Sequence, residues 1–384
     1  MKIGILTYWW SKDNYGQQLQ CYALQKYLQD VGYEAYLIRY DMRNDRNCVK
    51  IETPVMHQTH FYKKVFRYFN PIKIYRYLLY KKQATFIFHK NRRNDTRNFE
   101  YFREEYIKQS KIYYSYYELK ENPPKADIYI VGSDQVWNTD FYLQAEEPIE
   151  AYFLNFGDSS IKRISYAASF GKEKLEDEII NKITPLLQKF DYVSVREKSG
   201  LNICKQCGVD AEWVCDPTML LGANVYRTLY KKELWKKQKR PYCFFYFLKN
   251  ECDFCIEDVY NWAKKKNLKV IYISANSQLD KYRKTFATIP EWIYLLENAE
   301  FVITNSYHCC VFSLLFEKKF GVIPLSKSHY GMNSRFDSLF EQFQIENRFL
   351  NSNFSILDKE INWQLVSNTF QNLRKDNNLT MHLW

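Results

Sequence analysis

The run Asp127-Ile128-Tyr129-Ile130-Val131-Gly132-Ser133-Asp134-Gln135-Val136-Trp137-Asn138 passes from a strand into a polar turn within a few residues. Branched and aromatic residues fill its first part, as a strand requires, and a glycine followed by a hydroxyl, a carboxylate and an amide ends it. Working toward the N-terminus, the same rhythm occurs at Lys2 to Tyr8, followed by a helical pattern from about Gly16. That helix carries Leu24, Tyr27, Leu28 and Val31 on one face, stops at Gly32, and leads into a further strand at Glu34 to Tyr40. Toward the C-terminus, strands are predicted at Arg163 to Ala168, Tyr192 to Val195 and Glu212 to Val214. A second series begins at Tyr242 to Leu248 and continues through Lys269 to Ser274, Glu300 to Thr304 and Phe320 to Pro324. Asp216-Pro217-Thr218 and the polar run Lys231 to Arg240 lie between the two series.

Strands alternating with helices imply parallel sheets wound with helices. A chain of 384 residues exceeds what one core comfortably fills. The expected fold is therefore α/β, two doubly wound Rossmann-like domains facing across a cleft, a GT-B-like architecture. The boundaries fall at 1–220 and 221–384, with a basic, aromatic helical insertion over about 41–125 in the first domain and a helical tail closing the second. Ligands in such sheets sit beyond the carboxyl ends of the strands. Only eleven glycines and ten prolines occur, so disorder is expected only from Asp376 onward.

Apolar residues make up 46% of the chain, and no apolar run reaches the roughly 20 residues that span a bilayer. The opening Met1 to Tyr8 breaks off at Trp10-Ser11-Lys12, too short for a signal peptide, so a cytoplasmic location is expected. The net charge is +11, and its excess is local: from Tyr62 to Ser110 thirteen Lys or Arg face four acidic residues. Phe61, Tyr62, Val65, Phe66 and Phe69 fall at helix spacing there, with Ile72, Tyr75, Leu78 and Leu79 beyond Pro71. Such a segment suits peripheral contact with an anionic membrane, and equally a solvated helical face packed on the domain by its aromatics. No nucleic-acid fold signature accompanies the charge. Cys204/Cys207 and Cys252/Cys255 form two Cys-x-x-Cys pairs, but the 44 residues between them far exceed zinc-ribbon spacing, and reduced thiols are the expectation.

Four segments carry candidate chemistry. Asn14-Tyr15-Gly16, at the start of the first helix, lets backbone donors approach an anion, although a lone glycine there also describes a simple turn. Ser133, Asp134 and Gln135, with Trp137 behind them, suit sugar hydroxyls, or else describe a capped helix start with the tryptophan in the core. Arg196, after the strand Tyr192 to Val195, is placed to clamp a carboxylate or phosphate bidentately, or to pair with Glu197. In Thr304-Asn305-Ser306-Tyr307-His308 a strand ends and His308 opens an apolar helix through Phe312 and Leu315, ready to contact an anion or move a proton. A nucleophilic pair of His308 with Cys309 is the weaker alternative, because adjacent helical residues point apart. Arg335, entering a later helical segment, is either a second cation at the cleft or a surface residue.

In this order the segments resemble the polysaccharide pyruvyl transferase family, over roughly residues 1–40 and 100–345. The Asn-Tyr-Gly turn, Gly132 to Asn138, Ser165 to Gly171, Ser194 to Glu197, Cys215 to Thr218 and Asn305 to His308 carry the likeness. Departures are Ser306 where many relatives have arginine, Cys309 where glycine commonly follows the histidine, and Lys319-Phe320 for the usual Lys-Pro.

The resemblance implies a transferase that forms a pyruvate ketal on a sugar of a surface polysaccharide precursor, capsule or exopolysaccharide, from phosphoenolpyruvate. The acceptor it implies is a saccharide, with an undecaprenyl-diphosphate-linked form among the candidates, and no cofactor or metal is required. Arg196, Arg335 and His308 then hold the donor, with Ser306, Asn305, Gly16 and Asn14 beside them, and His308 serves as acid or base. Asp134 orients the acceptor hydroxyl, flanked by Ser133, Gln135 and Trp137. The alternatives are a GT-B-type glycosyltransferase using a nucleotide sugar and a catalytically silent glycan-binding protein.

Overall fold

The computed structural model of the chain describes residues 1–41, 78–79, 81–87, 97–140, 148–230, 238, 240–248, 254–274, 280–326 and 331–383. Its first sheet contains β1 (Lys2–Leu6), β2 (Glu34–Tyr40), β3 (Gln109–Tyr113), β4 (Ile128–Val131) and β5 (Lys162–Ser165) in the parallel order β3-β2-β1-β4-β5. The short parallel pair β6 (Ser194–Val195) and β7 (Glu212–Trp213) continues it through the bridges Ile164–Tyr192 and Ala168–Val195. The second sheet, β8 (Tyr242–Phe247), β9 (Lys269–Ser274), β10 (Phe301–Thr304) and β11 (Lys319–Val322), is parallel in the order β11-β10-β8-β9. All four residues of β4 and all six of β8 are buried, which is why these strands read as unbroken apolar runs rather than alternating ones.

The strand order reverses between β1 and β4 in one sheet and between β8 and β10 in the other. These two points are where doubly wound sheets open a crevice at their carboxyl ends. The helices that border them are α1 (Tyr15–Asp30), α2 (Lys198–Gln206), α3 (Tyr307–Leu315) and α4 (Ser334–Gln342). The C-terminal helix α5 spans Trp363–Lys375.

The two halves share apolar contacts. Tyr15, at the start of α1, stacks on Trp292 with ring centroids 5.3 Å apart and donates its hydroxyl to the Ala287 carbonyl at 2.6 Å. Rings of this kind each remove about 150–250 Å² from water, an upper-bound gain of roughly 4–6 kcal/mol apiece. The first turn of α1 is therefore docked against the second half, and the residues it carries are held there.

Three sequence expectations are corrected. Gln109–Tyr113 lies within the stretch read as an insertion, yet it is the edge strand β3, paired with β2. The tail after Asp376 is not disordered: Leu379 and Leu383 are buried, and the His382 ring stacks on Tyr192 at 3.7 Å. The tail also returns to the first half, where Arg374 donates to the Met219 and Leu221 carbonyls at 2.9 and 3.1 Å. Five of the ten predicted strands end one to three residues early, because their last residues, such as Thr7 and Ala167, already belong to the loops that follow. The aromatic positions from Phe61 to Tyr75 lie outside the described residues. Leu78, Leu79 and Phe86 are described, and they are exposed beside Lys81 and Lys82. No described helix is long and apolar enough to cross a membrane.

Candidate functional site

The loops at the two reversal points meet around one carboxylate, Asp216, which follows β7 and is fully buried. Its Oδ1 accepts hydrogen bonds from the Thr218 backbone N–H (3.0 Å) and hydroxyl (2.7 Å), so the turn fixes its own aspartate. Its Oδ2 accepts from the Ser133 hydroxyl at 2.7 Å and from Arg196 Nη1 at 3.1 Å, and His308 Nε2 lies 3.4 Å away. Burial alone would raise this carboxyl, but the charge and contact of His308, then Arg196 and Thr218, outweigh it and hold the group well below the usual carboxylate range.

Arg196 is buried with its guanidinium 4.7 Å from the Tyr307 ring centroid. Burial disfavours its charge, yet Asp216 and Glu197 more than offset that, so its proton affinity is raised. Nη1 is occupied by Asp216, while Nε and Nη2 are buried without a hydrogen-bond partner. Glu197 stands 3.8 Å from Nε but directs Oε1 to the Ser169 hydroxyl and to the N–H groups of Phe170 and Gly171. Arg335, in the first turn of α4, makes no hydrogen bond or ion pair with a described residue, and its Nε is buried and unsatisfied. Burial and the charge of Arg196 pull Arg335 down to about 10. Two guanidinium groups thus sit close enough to repel, with unspent donors. That arrangement leaves buried donors that an anion could take.

His308 lies in the first turn of α3, whose N-cap is Ser306, its hydroxyl accepting from Cys309 N–H at 3.4 Å. The imidazole rests on Gly16 so closely that a Cβ there would stand 2.4 Å from Nδ1. Glycine is required at position 16 for this contact alone, since its neighbours are ordinary helix. Asn14 caps α1 by accepting from Gln17 N–H at 3.3 Å. Two helix starts therefore converge on one imidazole, and both favour negative charge.

On the opposite side, Gly132 adopts φ +120°, and a Cβ there would fall 2.1 Å from the Tyr166 carbonyl oxygen. Asp134 follows at φ +70°, in the left-handed region that Asp tolerates better than most residues, with Oδ1 accepting from Gln135 N–H at 2.9 Å. Its charge acts on both Arg196 and Arg335, which places it in the same cluster.

The structure therefore brings together Arg196, Arg335, His308, Asp134, Ser133 and Gly16. Asn14 and Ser306 serve as helix caps at its edge. Asn305 accepts from Leu248 N–H at 2.8 Å, tying β10 to β8. Gln135 accepts from the Asn138 amide at 2.8 Å. Trp137 is not at the site: it is fully buried, stacked on Phe153 at 5.3 Å, and its indole N–H donates to the Tyr152 carbonyl. The Cys309 thiol is also fully buried, and burial pushes its proton affinity up, so it offers no thiolate to His308. Asp216 and Tyr307 were not singled out from the sequence. An aspartate before Pro217, two residues short of Thr218 and just past a strand, is the signal that would have found the first. Among the described residues no cluster of three or more metal-ligating side chains occurs. Cys204 and Cys207 are buried, and Cys252 lies outside the described residues.

Solved structures with this architecture include Staphylococcus aureus MnaA in a co-structure with UDP, at 9% identity and a TM-score of 0.50, covering 100% of this chain and 96% of that one. A UDP-GlcNAc 2-epimerase from Neisseria meningitidis (10% identity, TM-score 0.43, 98% and 92% covered) and a glycosyltransferase from Streptomyces sp. SF2575 (10%, 0.38, 98% and 95%) also match. At 9% identity the likeness to MnaA speaks for the two-domain Rossmann-like fold alone. A comparison with curated proteins gives no match. The family model described as polysaccharide pyruvyl transferase matches residues 14–327, a span that holds the Asn14 cap, the Gly132 turn, Arg196, Asp216 and His308, and the chain belongs to that family.

Proposed function

We propose that the chain transfers the enolpyruvyl unit of phosphoenolpyruvate to a sugar diol of a polysaccharide precursor, closing a pyruvate ketal. The observation that carries this reading is the pair Arg196 and Arg335, with buried, unpartnered donors beside His308. A small molecule with a carboxylate and a phosphate on one carbon supplies the two anionic groups such a pair can hold. In the reaction the vinyl methylene gains a proton to become methyl, one sugar oxygen bonds to C2, the C2–O bond to phosphate breaks, and the second sugar oxygen closes the ring. The two hydroxyl protons end on the methyl group and on the released phosphate. Arg196 and Arg335 stabilise the charge that gathers on carboxylate and leaving phosphate, and His308 carries protons between them and the acceptor. Asp134, facing both guanidinium groups, orients the attacking hydroxyl.

The test is mass spectrometry of lipid-linked and free oligosaccharides incubated with protein and phosphoenolpyruvate, looking for the added pyruvate mass. Calorimetry should show phosphoenolpyruvate binding that Arg335→Ala abolishes. A nucleotide sugar that binds and transfers in its place would overturn the proposal. The exposed Leu78, Leu79 and Phe86 beside Lys81 and Lys82 support an acceptor presented at an anionic membrane. Neutralising those lysines should lower partition into anionic vesicles, and an unchanged partition removes the membrane from the proposal.

A further inference from the structure

The reading above leaves the most connected group of the site without a role. Asp216 touches Arg196 and Ser133 from the first half and stands against His308 from the second. It is held from behind by Thr218, whose N–H and hydroxyl both serve Oδ1. Thus Oδ2 cannot swing away from the imidazole without breaking two hydrogen bonds of its own turn. His308 is equally confined, because its ring is packed on Gly16 at a distance that leaves no space for a methyl group. The nitrogen nearest Asp216 is Nε2, 3.4 Å from Oδ2 and buried, and that contact is not closed into a hydrogen bond in the free protein. The other, Nδ1, has no hydrogen-bond partner among the described residues and lies over the first turn of α1, where the Gly16 N–H is also one of the donors a helix start leaves unpaired.

We infer that Asp216 is a positioning residue that holds the proton of His308 on Nε2, so that Nδ1 is the nitrogen that meets the substrate. A carboxylate is acceptor-only, so the imidazole nitrogen that faces it must be the protonated one, and the tautomer of the neutral ring is thereby set. The inference rests on the reading of His308 as the proton carrier of the transfer. Nδ1, bare at rest, takes a proton from an attacking hydroxyl and passes it to the departing phosphate oxygen, the other hydroxyl proton ends on the methyl group, and the proton on Nε2 stays there, against Asp216, throughout. The same carboxylate fixes Arg196 Nη1, which leaves Nε and Nη2 turned to the anion. One side chain thus aligns a cation and a proton carrier that come from different domains.

The experiment is long-range proton–nitrogen correlation on full-length protein labelled with ¹⁵N-histidine, at a pH where the ring is neutral. Six histidines are present, and comparison with His308→Gln assigns the signal of interest. The expected result is the Nε2–H tautomer with a bare Nδ1 in wild type, and a shift toward Nδ1–H in Asp216→Asn, whose amide can donate to Nε2. An Nδ1–H tautomer in wild type overturns the inference, and so does an Nε2–H signal unchanged in Asp216→Asn. Should that variant fail to fold, the wild-type spectrum decides alone. Because the tautomer is read in the free protein, a failure of phosphoenolpyruvate to bind, measured in parallel by calorimetry, strikes the donor assignment and not the positioning by Asp216. A merely structural aspartate would change stability and leave the tautomer where it was.

Discussion

Replacing Gly16 by alanine adds one methyl group to a site where it would lie 2.4 Å from Nδ1, 2.6 Å from Cγ and 2.7 Å from Cβ of His308. Relaxed contacts between such atoms begin at about 3.5 Å, so the ring must retreat by roughly 1 Å. Its retreat is resisted, because α1 is docked by Tyr15 on one side and Asp216 stands 3.4 Å from Nε2 on the other. A misplacement of about 1 Å at a reacting group costs on the order of a hundredfold in rate, or about 2.7 kcal/mol of barrier. Stability moves less. Overpacking loses roughly 1–3 kcal/mol, while alanine in place of a helical glycine returns nearly 1, so the net loss should stay under about 2 kcal/mol. Urea unfolding measures the second quantity. Phosphoenolpyruvate titration and phosphate release in the presence of the acceptor measure the first. Wild-type affinity together with wild-type turnover in Gly16→Ala would refute the claim that this glycine exists to seat the imidazole.

Arg335→Met removes a guanidinium that Arg196 repels and that no described carboxylate pairs, so thermal stability should hold or rise while phosphoenolpyruvate affinity falls more than about tenfold. Calorimetry and a melting curve check both, and unchanged affinity rejects the anion site. The depressed carboxyl of Asp216 gives stability that is fully present above the ordinary value of about 3.9 and is lost as pH falls below it. Asp216→Asn should therefore show a shallower acid limb between about pH 4 and pH 2 in urea unfolding, and an identical slope would count against the buried charge. Burial pushes the Cys204 thiol up to about 12 and raises Cys207, so a thiol reagent should label the exposed Cys255 well before either in native protein. Equal labelling rates followed by peptide mass mapping would contradict their placement.

Repeated strand-to-polar-turn passages were enough to read the parallel α/β sheets, because β1, β4 and β8 are buried on both faces and so carry little but apolar residues. The edge strand β3 escaped the reading for the opposite reason. Gln109, Ser110 and Lys111 dilute its pattern, as an edge that faces solvent permits, and the basic stretch before it invites a helical reading. At the site, Arg196, Arg335 and His308 were legible because each follows a strand or opens a helix. Trp137 illustrates the limit: a tryptophan beside polar residues fits a sugar platform or a core anchor equally well, and only packing against Phe153 and Phe170 separates the two. Asp216 was quoted as part of a motif but given no chemistry, since only Thr218 among its partners is local, and the others come from positions 133, 196 and 308.

The return of the C-terminal tail to the first half has a consequence for biosynthesis. Leu379 and Leu383 join the apolar core to which both halves contribute, and Asn378 donates to Glu212 in β7 of the first half. During translation these places stay vacant until residues 378–383 have emerged, so the half made first is completed only after the second has been made. A nascent chain that has not yet reached Asn378 would carry both sheets and still present an unsealed flank to chaperones and proteases.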